Sequence, residues 1–199
     1  GQLSHPQRLP QIPVEYLGPL SRFPAIAANT FTYQFAVVLS GPEPQRSLLE
    51  EKILSVAEKM PGKWLVVRGK PGATDTPATA EHIAVHNHLS TNDLARILAE
   101  TAFVISRCGY TTVMEMLALK KKCILIPTPG QTEQEYLAPH LMQQGWCYSC
   151  NQEDDLWDHL QNATSFTYRL PHLPDEHFGV VVDRFLHEKG LLQLSNEIR

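Results

Sequence analysis

The residues best suited to bind a charged ligand lie in Ser106–Glu115, where a predicted strand meets a predicted helix. Gly109 allows a tight turn, and Thr111 and Thr112 place two hydroxyls at the helix start. The free N–H groups and the positive end of the helix dipole at such a start bind phosphate. Glu115 lies one turn further on and can accept hydrogen bonds from ribose hydroxyls. The alternative interpretation is an ordinary helix start, with Thr112 as the N-cap and Glu115 completing a capping box.

A second polar junction, Ile126–Glu135, follows the next predicted strand. Gln131, Glu133 and Gln134 provide two amides and a carboxylate, groups that suit the hydroxyls of a sugar. The alternative is an ordinary polar loop in which Thr132 caps the following helix.

The junction after the first predicted strand, Ser40–Arg46, contains neither G-x-G-x-x-G nor a Gly-Lys-Ser/Thr loop. The sequence therefore does not predict a dinucleotide fingerprint or a P-loop. Arg46, near a helix start, is a candidate phosphate contact, and the alternative is a plain strand-to-helix turn.

Histidines and cysteines raise the question of a metal or redox site. His82, His86 and His88 share one strand face by alternation, but no carboxylate or cysteine stands at matching spacing for zinc. Cys147 and Cys150 form a lone C-x-x-C motif that overlaps a late strand, whereas a structural zinc site normally uses two such pairs. We therefore expect reduced structural thiols, no metal and no cofactor.

Composition narrows the possible classes of protein. The 199 residues include 43% hydrophobic and 19% charged residues, which is typical of a globular chain. With 17 basic and 21 acidic residues the net charge is −4, which disfavours a nucleic-acid binder because that function needs a basic face. No apolar run reaches the roughly 18–20 residues of a membrane span. The start of the sequence does not have the pattern of a signal peptide.

The elements that must position these residues alternate along the chain. Strands are predicted at 33–39, 64–67, 83–89, 103–106, 123–126 and 146–149. Helices are predicted at 45–60, 91–100, 111–119, 133–144, 153–161 and 176–189, the second opened by a Ser90–Asp93 capping box. Because the strands are continuous apolar runs, we predict the α/β class, with a Rossmann-like, doubly wound parallel sheet of about six strands.

The expected organisation is a lead-in or linker over residues 1–32, a ligand-binding domain over 33–165 and a helical extension over 166–199. Ligands of such sheets bind beyond the carboxyl ends of the strands. All the polar junctions described above are predicted to lie at that edge.

The segment FVISRCGYTTVMEMLALKKKCILIPTPGQTEQEYLAPHLMQQG resembles the C-terminal, donor-binding domain of family 28 (MurG-like) glycosyltransferases, which is one half of a GT-B fold. The shared pattern is a strand, Ser/Arg-x-Gly-x-x-Thr-x-x-Glu, Ala-Leu, a second apolar strand, Ile-Pro, and a loop and helix that carry glutamine. The strong match covers about residues 102–145, and the order of strands extends it more weakly over 14–161.

The resemblance implies a role for each junction residue. The donor diphosphate would be held by Gly109, Thr111, Thr112, Ser40 and Gly41. The ribose would be bound by Glu115. The base, typically uracil in this family, would lie against His88, Leu89 and Ser90. The sugar would be bound by Gln131, Glu133 and Gln134.

The resemblance also implies an inverting, metal-independent hexosyltransferase that uses a UDP-sugar. Its acceptor site and its catalytic residues would lie in an N-terminal domain, in cis or in a partner chain, so these residues alone would be inactive. Such a protein would be cytoplasmic, and any peripheral association with the inner face of the membrane would reside in that other domain. Two alternatives stay open: a nucleotide-sugar hydrolase or 2-epimerase on the same scaffold, and a non-catalytic nucleotide-sugar-binding subunit.

Overall fold

A computed structural model describes residues 11, 12, 14, 17, 20–23, 30–172 and 177–191. The chain divides into two compact units, one of residues 1–20 with 173–199 and the other of residues 21–172. The predicted ligand-binding domain lies within the second unit. Parts of the predicted lead-in and of the predicted C-terminal extension fall outside the described residues.

Strands and helices alternate through the second unit. The strands are β1 (Tyr33–Val38), β2 (Trp64–Val67), β3 (Ile83–His86), β4 (Thr101–Ser106), β5 (Lys122–Leu125) and β6 (Tyr148–Ser149). The helices are α1 (Gln45–Ala57), α2 (Thr91–Ala99), α3 (Tyr110–Ala118), α4 (Thr132–Gln143) and α5 (Leu156–Ser165). The first unit contains α6 (His177–Glu188). None of the helices among the described residues is long and apolar enough to cross a membrane.

The six strands form one sheet in the order β3-β2-β1-β4-β5-β6, and every neighbouring pair is parallel. This confirms the predicted Rossmann-like parallel sheet. Strands β2 and β4 are buried at nearly every residue because both faces of the sheet are covered, which is why their sequences are continuous apolar runs.

Alternate side chains of each strand enter two separate cores. Phe35 and Ile105 belong to the core under α1 and α5, which also contains Leu49 and Leu156. The alternate residues of the same strands belong to the opposite core, under α2, α3 and α4, which contains Ala36, Leu65, Val104 and Leu125. The helices that follow the adjacent strands β1 and β4 therefore lie on opposite faces. The crevice between two such diverging connections is the topological switch point, where ligands of open α/β sheets bind.

The third strand is shorter than the sequence predicts. It ends at His86 because its neighbour β2 is followed by Gly69, whose φ of +68° turns the chain away. The Lys70 N–H still donates to the Asn87 carbonyl at 2.8 Å, but the residues beyond have no strand to pair with. His88 and Leu89 therefore form a loop at the carboxyl edge of the sheet.

Candidate functional site

A cavity of about 240 Å³ lies at the carboxyl ends of β1 to β4, at the switch point. It is lined by residues from three of the predicted polar junctions, namely Ser40, His88, Leu89, Thr112 and Glu115. Its apolar wall comes from α2, β4 and α3, through Leu94, Leu98, Val104 and Met116. The fold thus joins one acidic group, several hydroxyls and an apolar surface in a single recess.

The start of α3 offers free hydrogen-bond donors to this edge of the sheet. Its N-cap is Gly109, no side chain among the described residues caps it, and the first intrahelical bond runs from Val113 N–H to the Gly109 carbonyl at 3.0 Å. The N–H groups of residues 110–112 therefore have no intrahelical acceptor. A Cβ at Gly109 would meet nothing within 4 Å, so the space in front is open. The alternative with Thr112 as N-cap is wrong, because the N-cap is Gly109, three residues earlier.

Glu115 is the acidic group of the cavity, and its carboxylate is almost fully buried, with 8% of the side chain exposed. Burial raises the pKa of this carboxyl, while the Arg22 guanidinium lowers it, with Nε 2.9 Å from Oε1. Arg22 and Phe23 both line the cavity, and the guanidinium lies 4.8 Å from the Phe23 ring centroid. Sequence reasoning missed both residues because the Pro-rich lead-in carries no periodic pattern.

The loop after β3 contributes His88 and Leu89 to the cavity, whereas Ser90 does not line it. The Ser90 hydroxyl accepts from the Asp93 N–H at 3.1 Å and donates to the Asp93 carboxylate at 2.7 Å. This confirms Ser90 as the N-cap of α2, while the Asp93 carboxylate bonds to the Ser90 hydroxyl instead of closing the predicted capping box at the Ser90 N–H. The serine hydroxyl is therefore already engaged.

The loop after β1 brings Ser40 into the cavity and carries Gly41 at a φ of +102°. A Cβ at Gly41 would lie 3.8 Å from Thr128 Oγ1, so this loop approaches the loop before α4. Arg46 is only 4% exposed and donates to Glu50 at 2.5 Å and to the Arg68 carbonyl at 3.1 Å. The interpretation of Arg46 as a phosphate contact is therefore wrong, because its guanidinium is already occupied.

The predicted sugar residues lie at the start of α4, and none of them lines the cavity. Gln134 accepts from the Thr128 N–H at 3.0 Å and donates to the Gln131 side-chain oxygen, so the two glutamines shape their own loop. The helix begins at Thr132 after Gln131, so Thr132 is not the cap. Glu133 is exposed in the first turn.

Arg107, directly after β4, joins several loops at this edge although the sequence suggested no role for it in the site. Its guanidinium donates to the Pro127 carbonyl at 3.1 Å, to the Gln45 carbonyl at 2.7 Å and to Gln152 Oε1 at 2.5 Å. Burial lowers its pKa to about 10, so the group stays charged near neutral pH. The position of Arg107, directly after a predicted strand and two residues before Gly109, is the sequence signal that could have assigned it to the site.

The cysteines are free and buried. Burial raises the pKa of the Cys108 and Cys150 thiols to about 12, and it raises the pKa of Cys123 and Cys147 in the same direction. Protonated thiols are poor nucleophiles and poor metal ligands at neutral pH. In the part of the chain that the structure describes, no group of three or more His, Cys, Asp or Glu side chains could hold a metal ion.

Comparison with known proteins gives one family and a set of solved structures. Residues 46–169 match the family described as glycosyltransferase family 28 C-terminal domain. MurG of Acinetobacter baumannii is 17% identical, with a TM-score of 0.56 over 80% of this chain and 51% of that one. The glycotransferase of kitacinnamycin is 15% identical, with a TM-score of 0.55 over 88% and 47%.

The spinosyn rhamnosyltransferase SpnG, solved in complex with thymidine diphosphate, is 19% identical, with a TM-score of 0.51 over 88% of this chain and 46% of that one. At these identities the likeness shows a shared fold. The chain spans about half the length of these solved glycosyltransferases. No curated protein matches the sequence.

Proposed function

The chain belongs to the family of glycosyltransferase family 28 C-terminal domains, and we propose that it binds the donor of an inverting hexosyl transfer, a UDP-sugar. The observation that carries the proposal is that one cavity at the switch point is lined both by buried Glu115 and by Thr112, which lies in the uncapped first turn of α3. A nucleoside diphosphate needs both groups, one for its ribose and one for its phosphates.

The diphosphate would lie against the start of α3, where the N–H groups of residues 110–112 and the Thr111 and Thr112 hydroxyls are donors. The helix dipole adds roughly half a positive charge there. Glu115 follows Thr112 by three residues, so both side chains lie on one helix face about one turn, or ~5 Å, apart. That spacing suits a ribose and its 5′-phosphate. In this proposal the protein, without a metal, neutralises the diphosphate.

The base would lie in the part of the cavity bounded by His88 and Leu89, where backbone groups of the loop can pair with the donor and acceptor edge of uracil. The sugar would project toward Gln131, Glu133 and Gln134 at the start of α4. The close approach of Gly41 to Thr128 supports this, because it brings that loop next to the proposed phosphate end of the cavity.

In the transfer itself, an acceptor hydroxyl would attack the anomeric carbon, the bond from that carbon to the diphosphate oxygen would break, and UDP would leave. The donors at the α3 start would stabilise the negative charge that develops on the leaving diphosphate. The base that takes the acceptor proton is proposed to lie in a second domain, in cis or in a partner chain. The length of the solved glycosyltransferases, about twice that of this chain, supports this.

These residues alone would then bind the donor without transferring its sugar. We propose a cytoplasmic location, with any contact at the inner face of the membrane made by the second domain.

Calorimetric titration of the chain with UDP tests the proposal. We expect binding that weakens about 10- to 100-fold in Glu115→Gln, because the amide loses the charge-assisted bonds to the ribose. Glu58→Gln is the matched control, since Glu58 is exposed at the far end of α1, at the opposite edge of the sheet. UDP binding that is undetectable at millimolar concentration, or that is unchanged in Glu115→Gln, would contradict the proposal.

A further inference from the structure

A buried network of charged side chains lies beside the cavity and has no part in the function proposed so far. We propose that Arg68 and Asn87, anchored by Glu50, are positioning residues that hold the loop of residues 87–90 for reading the nucleobase. This inference rests on the proposed function, because the loop matters only if a nucleotide binds there.

Arg68, directly after β2, is the centre of the network and is only 6% exposed. Its Nε donates to Glu50 Oε1 at 2.5 Å, and its Nη1 donates to Asn87 Oδ1 and to the Asp75 carbonyl, both at 2.8 Å. One rigid guanidinium thus joins α1, the loop after β3 and the loop after β2. The fixed fork of an arginine transmits geometry between such partners better than a lysine would.

Asn87 uses its whole side chain and its carbonyl in this arrangement. Its Nδ2 donates to the Ala73 carbonyl at 2.9 Å, while its own carbonyl accepts from the Lys70 N–H at 2.8 Å. The next two residues are His88 and Leu89, which line the cavity. The orientation of Asn87 therefore determines the direction of the backbone N–H and carbonyl groups in the loop of residues 87–90.

The anchor on α1 is equally buried. Glu50 is 6% exposed and accepts from Arg46 Nη1 at 2.5 Å, and Arg46 in turn donates to the Arg68 carbonyl at 3.1 Å. Desolvation offsets much of the Coulomb attraction in buried ion pairs. A protein in which apolar residues replace all the charged members of such a network is therefore often as stable as the original. Such a network therefore contributes mainly by fixing the positions of the side chains and loops that it joins, and less by increasing net stability.

A loop that pairs with a base through backbone groups needs those groups within about 0.5 Å of the right place. Loss of the Arg68–Asn87 bond should therefore weaken recognition of the base. The start of α3, which would hold the diphosphate, has no bond to the network among those described. Binding of the base and binding of the diphosphate should then respond differently to the same substitution.

The experiment titrates the chain and its Asn87→Ala variant with uridine and, separately, with inorganic pyrophosphate. We expect the Kd for uridine to rise about 10-fold and the Kd for pyrophosphate to change less than twofold. Asn151→Ala is the matched control, because that side chain is exposed in the loop between β6 and α5. It should leave both constants unchanged.

A second variant, Arg68→Lys, keeps the charge but cannot reach three partners at once. Because both variants break the same bond, the double variant should lose little more uridine affinity than either single variant. Hydrogen exchange of residues 87–90 without ligand should be faster in Asn87→Ala than in the wild type, and it should match the wild-type rate in Asn151→Ala.

The two hypotheses fail differently. Unchanged uridine affinity in Asn87→Ala, or equal losses for uridine and pyrophosphate, would overturn the positioning role while donor binding stands. Wild-type protein that binds neither UDP nor uridine would overturn the proposed function and the positioning role with it.

Discussion

At the scale of single residues, Glu115 is held between two opposing influences. Burial in the cavity favours the protonated carboxyl and raises its pKa, and the nearby Arg22 guanidinium favours the carboxylate. Arg22 is largely exposed, so solvent screens part of its effect. A ribose needs the ionised form, which can accept two hydroxyl hydrogen bonds. Arg22 therefore favours the ionised form that ribose binding would require, and it also occupies one of the two carboxylate oxygens of Glu115.

This balance predicts the pH dependence of uridine binding. Affinity should fall as the pH drops through the raised pKa of Glu115, and Arg22→Gln should move that fall to higher pH because the opposing cation is gone. At pH values above both transitions the variant should bind uridine at least as tightly, since Arg22 no longer competes for the carboxylate. Titrations between pH 5 and 8.5 measure both effects.

Glu115→Gln serves as the control, because its pH profile should lack the fall in affinity that protonation of Glu115 causes. A profile of Arg22→Gln that coincides with that of the wild type would contradict the coupling. The raised pKa of Glu115 also makes the stability of the fold depend on pH. A carboxyl whose pKa is higher in the folded than in the unfolded protein contributes its full stabilisation at pH values below its unfolded pKa. That contribution is lost as the pH rises through the folded pKa.

At the scale of elements, the site depends on how each strand ends. Gly69 ends the pairing of β2 with a φ of +68°, and a Cβ there would lie 2.5 Å from the Leu39 carbonyl oxygen. This close approach brings the loops after β1 and β2 together at the cavity. The position therefore requires glycine for both backbone conformation and space.

Gly69→Ala should lower the free energy of unfolding by about 3 kcal/mol, from left-handed strain and the contact with the Leu39 carbonyl. Gly72→Ala is the matched control, because Gly72 has an ordinary φ and open space around its Cβ position. That substitution should change stability by only about 0.5 kcal/mol, or increase it slightly. Urea denaturation measures both, and equal losses in the two variants would contradict the argument.

At the scale of the whole molecule, the cavity depends on the divergence of α1 and α3 to opposite faces of the sheet. Its walls come from the ends of four strands and from two helices, so the proposed ligand site exists only in the folded unit. A ligand that binds the folded state alone must stabilise it.

UDP at 100 times its Kd should therefore raise the free energy of unfolding by about 2.7 kcal/mol. Urea titrations with and without UDP, followed by the fluorescence of tryptophans that include the fully buried Trp64, measure this change. At the same UDP concentration Glu115→Gln should gain much less. An unfolding midpoint that does not respond to UDP would show that the folded unit has no such site.

Much of the architecture was predictable because it follows from local patterns. Apolar runs such as Trp64–Val67 must be buried on both faces. The Pro61-Gly62 pair limits the preceding helix, which was predicted to reach residue 60 and ends at Ala57. The Ser90–Asp93 cap is local in the same way. Parallel strands then place all the junctions at one edge of the sheet, so the sequence alone predicts that Ser40, His88 and Glu115 lie near one another.

Other features depend on contacts between residues far apart in the chain, which no local pattern encodes. The pairing of Arg22 with Glu115, the burial of Arg46 and the separation of Gln134 from the cavity are of this kind. The local sequence around Arg46 is that of an arginine at a helix start, and it does not show whether the side chain binds a phosphate or a buried glutamate.

The sequence by itself determined the family, the parallel sheet and the edge of the sheet that gathers the polar junctions, because hydrophobic periodicity and a strand–glycine–helix motif act over a few residues. Only the tertiary structure decided which of the polar side chains line the cavity and which are occupied in hydrogen bonds that hold the surrounding loops together. The physical reason is that a charged group loses its water on burial and must find a partner. Which partner it finds depends on the register and crossing of elements that lie far apart in sequence.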